Sequence, residues 1–247
     1  MDEERLKNGG TILTKYYFDC EGAKMKTHYY FGWFNETMPK EVGELLNQDL
    51  TSKKSLVMIS TVPAEFEYND NFSKWVKESW FDYATVIFEE HHLIDYRVTK
   101  EDAEALLKDA SAILLHGGHP GSLKNFIEEY NLDTAIKISN ATVIMGASAG
   151  GMNLSAKFAQ KREEVYEIQD GMSLDEFAFM PHVAYNTEEL RQDVGIQAMM
   201  PVSESIPVYA CCEESTLRVK DGNIEIFGDV YLITDSEIKK LNSEVFE

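Results

Sequence analysis

Residues 146–150 form a glycine-flanked segment, Gly-Ala-Ser-Ala-Gly, between an apolar run and a helix-like stretch. A Gly-x-Ser-x-Gly segment in this setting is typical of a nucleophile elbow, a sharp turn that holds a serine hydroxyl at the carboxyl end of a central strand. The segment therefore predicts an α/β fold and makes Ser148 the candidate nucleophile of a serine hydrolase. The alternative is a glycine turn that binds a phosphate or only packs tightly.

Apolar runs and helical spacing alternate along most of the chain. The predicted strands are 28–34, 55–60, 84–88, 112–115 and 141–145, and the predicted helices are 39–50, 72–80, 100–108, 122–130 and one that begins near residue 149. Because these apolar runs lack a period of two, their strands are expected to be covered on both faces. The sequence thus predicts a three-layer α/β sandwich with a mainly parallel central sheet.

The pattern changes after residue 170. Short β-rich runs at 208–211, 216–219 and 224–227 flank a turn at 220–223 and predict an antiparallel hairpin near the C-terminus. Since no stretch resembles a linker, we expect a single domain over 1–247, with 1–30 as an N-terminal extension of uncertain role.

The charge balance limits the partners of the chain. Its 23 basic and 43 acidic residues give a formal charge of −20, which disfavours nucleic acid and anionic lipid. No apolar run approaches the ~20 residues of a membrane span, and the first residues lack the pattern of a secretory signal. Three cysteines without a Cys-x-x-Cys pair fit a reducing compartment. We expect a cytoplasmic monomer or homodimer with neither metal nor cofactor.

A second glycine turn can supply the hydrogen-bond donors that acyl transfer needs. It has the sequence Leu-His-Gly-Gly-His over 115–119 and follows the predicted strand 112–115, so its amides are expected at the same sheet edge as the elbow. The N–H groups of Gly118 and Ala149 would then form an oxyanion hole. The alternative is a plain strand-to-helix turn.

The candidate base comes from only six histidines in the chain. His182, in a Pro-His pair, lies between a helix-like stretch and a polar segment, where a loop can return it to the sheet; the alternative is a surface histidine. If the order is serine, acid, histidine, the orienting acid lies between residues 148 and 182. The carboxylates that qualify are Glu163, Glu164, Glu167 and Asp170.

Taken together, these motifs resemble the serine dipeptidases typified by peptidase E, the aspartyl dipeptidase, with cyanophycinase as a relative. The similarity covers roughly residues 55–227. It rests on the Gly-Gly turn, the Gly-x-Ser-Ala-Gly segment about 30 residues later and the Pro-His pair some 34 residues after Ser148. The resemblance implies a fold like that of class I glutamine amidotransferases, with serine in place of their cysteine, and hydrolysis of short peptides, above all Asp-X dipeptides, through an acyl-enzyme.

The resemblance also implies roles for individual positions. Ser148 would be the nucleophile, His182 the base and Glu163 the acid, with Gly118 and Ala149 as oxyanion donors. Arg191 would hold the acidic side chain of the substrate through paired hydrogen bonds, and Glu213 would face its free amine. The chain departs from the family pattern at the glycine turn, where His116 replaces the first of three glycines and His119 and Pro120 replace Asn-Thr. These changes alter the shape of the substrate cleft.

Two other functions share some of these features. An α/β-hydrolase esterase has the same elbow, but the 34 residues between Ser148 and His182 leave little room for the additional strands and helices of that fold. An amidotransferase-like domain that binds a ligand without turnover is the other alternative.

Overall fold

The computed structural model describes residues 26–163 and 165–241. The strands are β1 (Thr27–Phe31), β2 (Ser55–Ile59), β3 (Glu90–Ile94), β4 (Ala112–Leu115), β5 (Val143–Ala147), β6 (Ser155–Arg162), β7 (Val165–Asp170), β8 (Asp175–Met180), β9 (Val208–Cys211), β10 (Thr216–Lys220), β11 (Asn223–Phe227), β12 (Val230–Thr234) and β13 (Glu237–Leu241). The helices are α1 (Lys40–Asp49), α2 (Phe66–Trp75), α3 (Lys100–Lys108), α4 (Pro120–Tyr130), α5 (Leu132–Ile138), α6 (Ala149–Leu154), α7 (Thr187–Gln192) and α8 (Val194–Met199). A π-helical segment, Val76–Asp82, continues α2.

The first sheet has seven strands in the order β11-β10-β1-β5-β4-β2-β3. Its five strands β1 to β5 are mutually parallel, and β10 and β11 form an antiparallel hairpin at one edge. The mainly parallel central sheet and the C-terminal hairpin predicted from the sequence are both confirmed. The parallel strands direct all their carboxyl ends to one edge, which is where ligands meet such sheets.

Helices and a second sheet cover the two faces of this first sheet. On one face, α1 and the π-helical segment contribute Val42, Leu46 and Trp80 to a core that contains Leu56 of β2. On the other face, α3 to α5 and the second sheet join the core around Ile113. The strands are apolar on both sides because both sides are covered, which accounts for the absence of a period of two in their sequences.

The second sheet has six strands in the order β13-β12-β9-β8-β6-β7. One face packs on the first sheet, where the rings of Phe177 and Phe179 lie 4.8 and 5.4 Å from that of Tyr30. Its other face packs with α7 and α8 around Ile196. The sequence predicted only strand 208–211 of this sheet. Strands β6 and β7 have few apolar runs because they form a partly exposed, charged hairpin.

Two sequence predictions need correction near the edge of the first sheet. The predicted strand 84–88 is wrong: this segment is a turn and a coil, with Thr85 at a φ of 60°, and its apolar side chains Ala84, Val86 and Phe88 are buried without pairing. The strand there is the polar β3. The helix predicted over 72–80 begins earlier, at Phe66, and becomes π-helical at Val76.

The N-terminal extension is only partly described. Residues 1–25, and Cys20 with them, lie outside the described residues, whereas 27–30 belong to β1 in the middle of the first sheet. Within the described ranges, none of the helices has the length and apolarity needed to traverse a bilayer.

Candidate active site

Four loops meet at the carboxyl edge of the first sheet. Trp33 follows β1, Thr61 follows β2, the Gly117-Gly118 turn follows β4 and Ser148 follows β5. In the sheet these four strands are neighbours in the order β1-β5-β4-β2, so residues far apart in sequence come together. The loops after β1, β4 and β5 line one cleft.

Ser148 occupies a strained turn between β5 and α6. Its backbone has φ 49° and ψ −111°, a conformation that L-residues rarely adopt outside functional sites. The turn is tight because Gly150 touches the end of β4: a Cβ there would lie 2.1 Å from the carbonyl oxygen of Leu115. The Oγ of Ser148 is 2.7 Å from Nε2 of His182, a hydrogen bond suited to proton transfer from the hydroxyl to the imidazole.

His182 reaches the elbow from the second sheet. It follows β8 by two residues, and Glu213 follows the neighbouring β9 by two residues. Because β8 and β9 are parallel, with Met180 level with Ala210, both loops leave the sheet at the same end. Nδ1 of His182 lies 3.5 Å from Oε1 of Glu213, longer than a hydrogen bond but close enough for the carboxylate to orient the ring.

The carboxylate of Glu213 is itself held. Its other oxygen, Oε2, accepts a hydrogen bond from the Asn35 side chain, and the Asn35 N–H donates to the Glu214 side chain at 2.9 Å. Asn35 belongs to the loop after β1, so this contact joins the two sheets beside the nucleophile. Each oxygen of Glu213 thus has a separate partner.

The acids predicted from the sequence lie elsewhere. Glu163 occupies the turn of the β6–β7 hairpin at a φ of 52°, and it makes no ion pair with His182. Glu167 is paired with Arg162 at 3.0 Å, and Asp170 with Lys157 at 2.6 Å. The Lys157 ammonium holds the pKa of Asp170 below its usual value.

Glu164, the remaining candidate, lies outside the described residues. Among the described residues, the carboxylate beside His182 is that of Glu213. Glu213 follows His182 in the sequence, so the assumed order of serine, acid and histidine excluded it as the orienting acid.

The glycine turn after β4 is oriented by a side chain from the loop after β2. Oγ1 of Thr61 donates a hydrogen bond of 2.8 Å to the carbonyl oxygen of Gly117. In a planar trans peptide the next N–H points the opposite way, so Thr61 turns the N–H of Gly118 away from itself. Gly118 has a φ of 137°, which requires glycine.

The N–H groups predicted as oxyanion donors are both free of backbone partners. Within the described part of the chain the Gly118 N–H meets no acceptor. The N–H of Ala149 begins α6 and so precedes the first intrahelical bond. Gly118 lines the cleft with Ser148, and Ala149 directly follows Ser148 in the chain. The role of these two N–H groups as oxyanion donors stays a prediction.

The cleft has a volume of about 270 Å³. The residues that line it are Trp33, Tyr68, Phe72, Gly117, Gly118, Ser148 and His182. Arg191, the cation expected to hold an acidic substrate, is exposed on α7 and is not among them. In the described ranges no three histidine, cysteine or acidic side chains converge in a way that could hold a metal ion.

His116 is buried beneath this cleft. Its ring lies edge-on to Phe72 at 4.9 Å, and its Nε2 has no hydrogen-bond partner among the described residues. Complete burial lowers the pKa of His116 to about 3. The side chain is therefore neutral beside the glycine turn at physiological pH.

The buried His116 makes stability sensitive to acid. An unfolded histidine takes up a proton near pH 6.5 and the folded one only near pH 3, so the unfolded state binds more protons between these values. The free energy of unfolding should therefore be highest above pH 6.5 and should fall by about 2 kcal/mol between pH 7 and pH 5 through this residue. Urea unfolding of wild type and His116→Leu across this range measures it. The free energy of unfolding of the wild type minus that of the variant should decrease as the pH falls from 7 to 5. Parallel pH profiles of the two proteins would contradict the prediction.

Comparisons with known proteins extend over most of the chain. The model of Peptidase family S51 matches residues 40–227. The structure of a peptidase from an acI-B1 Actinobacterium is similar with a TM-score of 0.68 at 18% identity, covering 89% of this chain and 95% of that one. A candidate peptidase E from Listeria monocytogenes gives 0.58 at 16% identity, with 82% and 98% covered. At these identities the two structures share the fold. No curated protein matches this chain.

Proposed function

The chain belongs to peptidase family S51, and from that premise we propose that it is a serine peptidase that cleaves short peptides through an acyl-enzyme. The observation that carries the proposal is the hydrogen bond of 2.7 Å between Ser148 Oγ and His182 Nε2 at a strained elbow. A turn that only packs or binds phosphate needs no base at this distance. An activated nucleophile does.

The proposed reaction has two halves. Ser148 Oγ attacks the peptide carbonyl carbon while His182 Nε2 takes the hydroxyl proton, and the N–H groups of Gly118 and Ala149 bind the developing oxyanion. The carbon–nitrogen bond then breaks, and His182 returns the proton to the leaving amine. Water attacks the acyl-enzyme by the same route, which releases the acid and restores the serine.

We assign the orienting acid to Glu213 in place of Glu163. The support is the approach of Oε1 to His182 Nδ1 and the separate hydrogen bond that Asn35 gives to Oε2. A carboxylate at Nδ1 keeps the neutral ring in the tautomer that leaves Nε2 free to accept a proton. Glu213 then serves the base, a role different from the contact with a substrate amine that the resemblance implies.

The size of the substrate follows from the cleft. At about 270 Å³ the cavity is smaller than the ~300–1,000 Å³ typical of sites for drug-sized ligands, which favours dipeptides and other short peptides. The preference for an N-terminal aspartate needs a cation. Since Arg191 does not line the cleft, and Glu213 and Glu214 lie beside it, the proposed function does not extend to that preference.

The same proposal includes the cellular setting. Within the described part of the chain Cys211 and Cys212 are free and buried, which fits a reducing compartment, so we propose a cytoplasmic enzyme. We further propose that it acts as a monomer or homodimer, since one chain by itself can supply the serine, the base and the acid.

A fluorophosphonate probe tests the central claim. We expect one equivalent to attach to Ser148, located by peptide mass spectrometry, with labelling abolished by prior denaturation because the elbow and the hydrogen bond to His182 activate the hydroxyl. Short peptides added in excess should slow the labelling. A folded protein that takes up no label would contradict an activated serine, and labelling unaffected by any peptide would favour an esterase.

A further inference from the structure

Three aromatic side chains form one wall of the cleft beside Ser148. The rings of Trp33 and Phe72 have centroids 6.0 Å apart and planes inclined by only 10°. The rings of Tyr68 and Phe72 are 5.7 Å apart and inclined by 7°. All three residues line the cleft together with the nucleophile and the Gly117-Gly118 turn. We call them the aromatic wall.

The aromatic wall is fixed to the catalytic loops. Phe72 rests on the ring of His116, the residue before the glycine turn. Trp33 packs edge-on against Trp80 at 5.2 Å, and a Cβ on Gly117 would lie 2.4 Å from its ring, so the Trp33 ring touches the backbone of the turn. These contacts hold the wall at a set distance from the oxyanion donor, which lowers the cost of ordering it when a ligand binds.

Part of the wall is open to solvent. The Tyr68 side chain is 53% exposed although it stacks on Phe72 and borders the nucleophile. A large aromatic surface left open beside a reactive serine gains free energy when an apolar group covers it. The aromatic faces also favour a planar partner, since stacked and edge-on ring pairs are stabilising beyond their buried area.

The charges around the cleft argue against a charged substrate side chain at the aromatic wall. Among the described residues that line it there is no lysine or arginine, so an acidic side chain would find no partner there and would approach the carboxylates of Glu213 and Glu214. None of these described lining residues is acidic either, and Glu213 and Glu214 are already bound by His182 and Asn35, so a basic side chain would find no ion pair at the aromatic wall itself. An uncharged side chain with a large apolar face is what these surroundings suit.

We infer that the aromatic wall is a subsite for an aromatic side chain of a residue next to the scissile bond, and that Trp33, Tyr68 and Phe72 determine this specificity. The inference rests on the proposed function and names its substrate class. His116 contributes indirectly, as the buried support on which Phe72 packs.

A four-peptide panel tests the subsite by turnover. We expect Phe-Ala or Ala-Phe, according to which side of the bond the wall serves, to exceed both Ala-Ala and Asp-Ala in kcat/KM by roughly 10-fold to 100-fold, the range expected when a buried phenylalanine side chain leaves water. Tyr68→Ala should reduce that preference about fivefold or more. Tyr83→Ala is the matched control, since Tyr83 is 50% exposed and does not line the cleft. A preference for Asp-Ala, or an equal loss for all peptides in Tyr68→Ala, would overturn the inference.

A binding measurement separates failure of the subsite from failure of the proposed function. Calorimetric titration of Ser148→Ala with the same four dipeptides needs no turnover. If wild type cleaves none of them, the proposed function fails, and the subsite stands only if the better phenylalanine dipeptide binds at least about 10-fold more tightly than Asp-Ala and Ala-Ala. Equal affinities, or tighter binding of Asp-Ala, would reject the aromatic subsite whether or not the wild type is active.

Discussion

Ser148→Ala is expected to lower kcat for peptide hydrolysis by roughly 10⁴-fold to 10⁶-fold, because no covalent intermediate can form without its Oγ. The proposed oxyanion donors, the N–H groups of Gly118 and Ala149, do not depend on this side chain, so a small residual rate above the uncatalysed one should remain. KM should change little, since the substitution removes only the atom that attacks. Steady-state kinetics on the best dipeptide, with circular dichroism to verify folding, measure the effect.

A matched control accompanies this variant. Ser173→Ala makes the same change at a serine that also has a positive φ, 54° against 49° for Ser148, but lies in the loop between β7 and β8. We expect Ser173→Ala to retain wild-type turnover within about twofold. If Ser148→Ala kept most of the activity while Ser173→Ala was normal, another group would have to be the nucleophile.

The fold was predictable where buried strands alternate with helices. Residues 112–115 and the helix 100–108 match the structure because each is a continuous pattern bounded by turn or capping residues, such as Thr99, whose side chain caps α3. The prediction failed at 84–88, where apolar side chains are buried from a coil. A pattern of apolar residues reports burial, and burial does not require strand pairing.

The site was predictable only in its local parts. The elbow and the glycine turn are contiguous segments whose conformation follows from their own glycines, so Ser148 and Gly118 could be chosen from sequence. The proposed acid, Glu213, could not be chosen in this way. Its approach to His182 depends on the parallel pairing of β8 with β9, in a sheet that the sequence did not reveal. The sequence did contain one signal, the acidic pair at 213–214, which begins two residues after the predicted strand 208–211.

Glu213→Gln is expected to lower kcat by about 10²-fold to 10⁴-fold with little change in KM. The carboxylate selects the ring tautomer and stabilises the imidazolium that forms during attack, and both effects act on the transition state. The smaller end of this range reflects the 3.5 Å separation and the 40% exposure of the Glu213 side chain, since water can partly replace a group so placed. The rate of fluorophosphonate labelling at Ser148 should fall in parallel.

Glu163→Gln is the control that discriminates between the two assignments of the acid. The two variants remove the same charge by the same isosteric change, so a general effect of net charge would alter both equally. If Glu213 orients the base, Glu163→Gln should stay within about twofold of wild type, because Glu163 lies at a hairpin turn without an ion pair to His182. The reverse pattern, with Glu163→Gln inactive and Glu213→Gln active, would restore the order of serine, acid and histidine and would require the β6–β7 hairpin to approach His182 during catalysis.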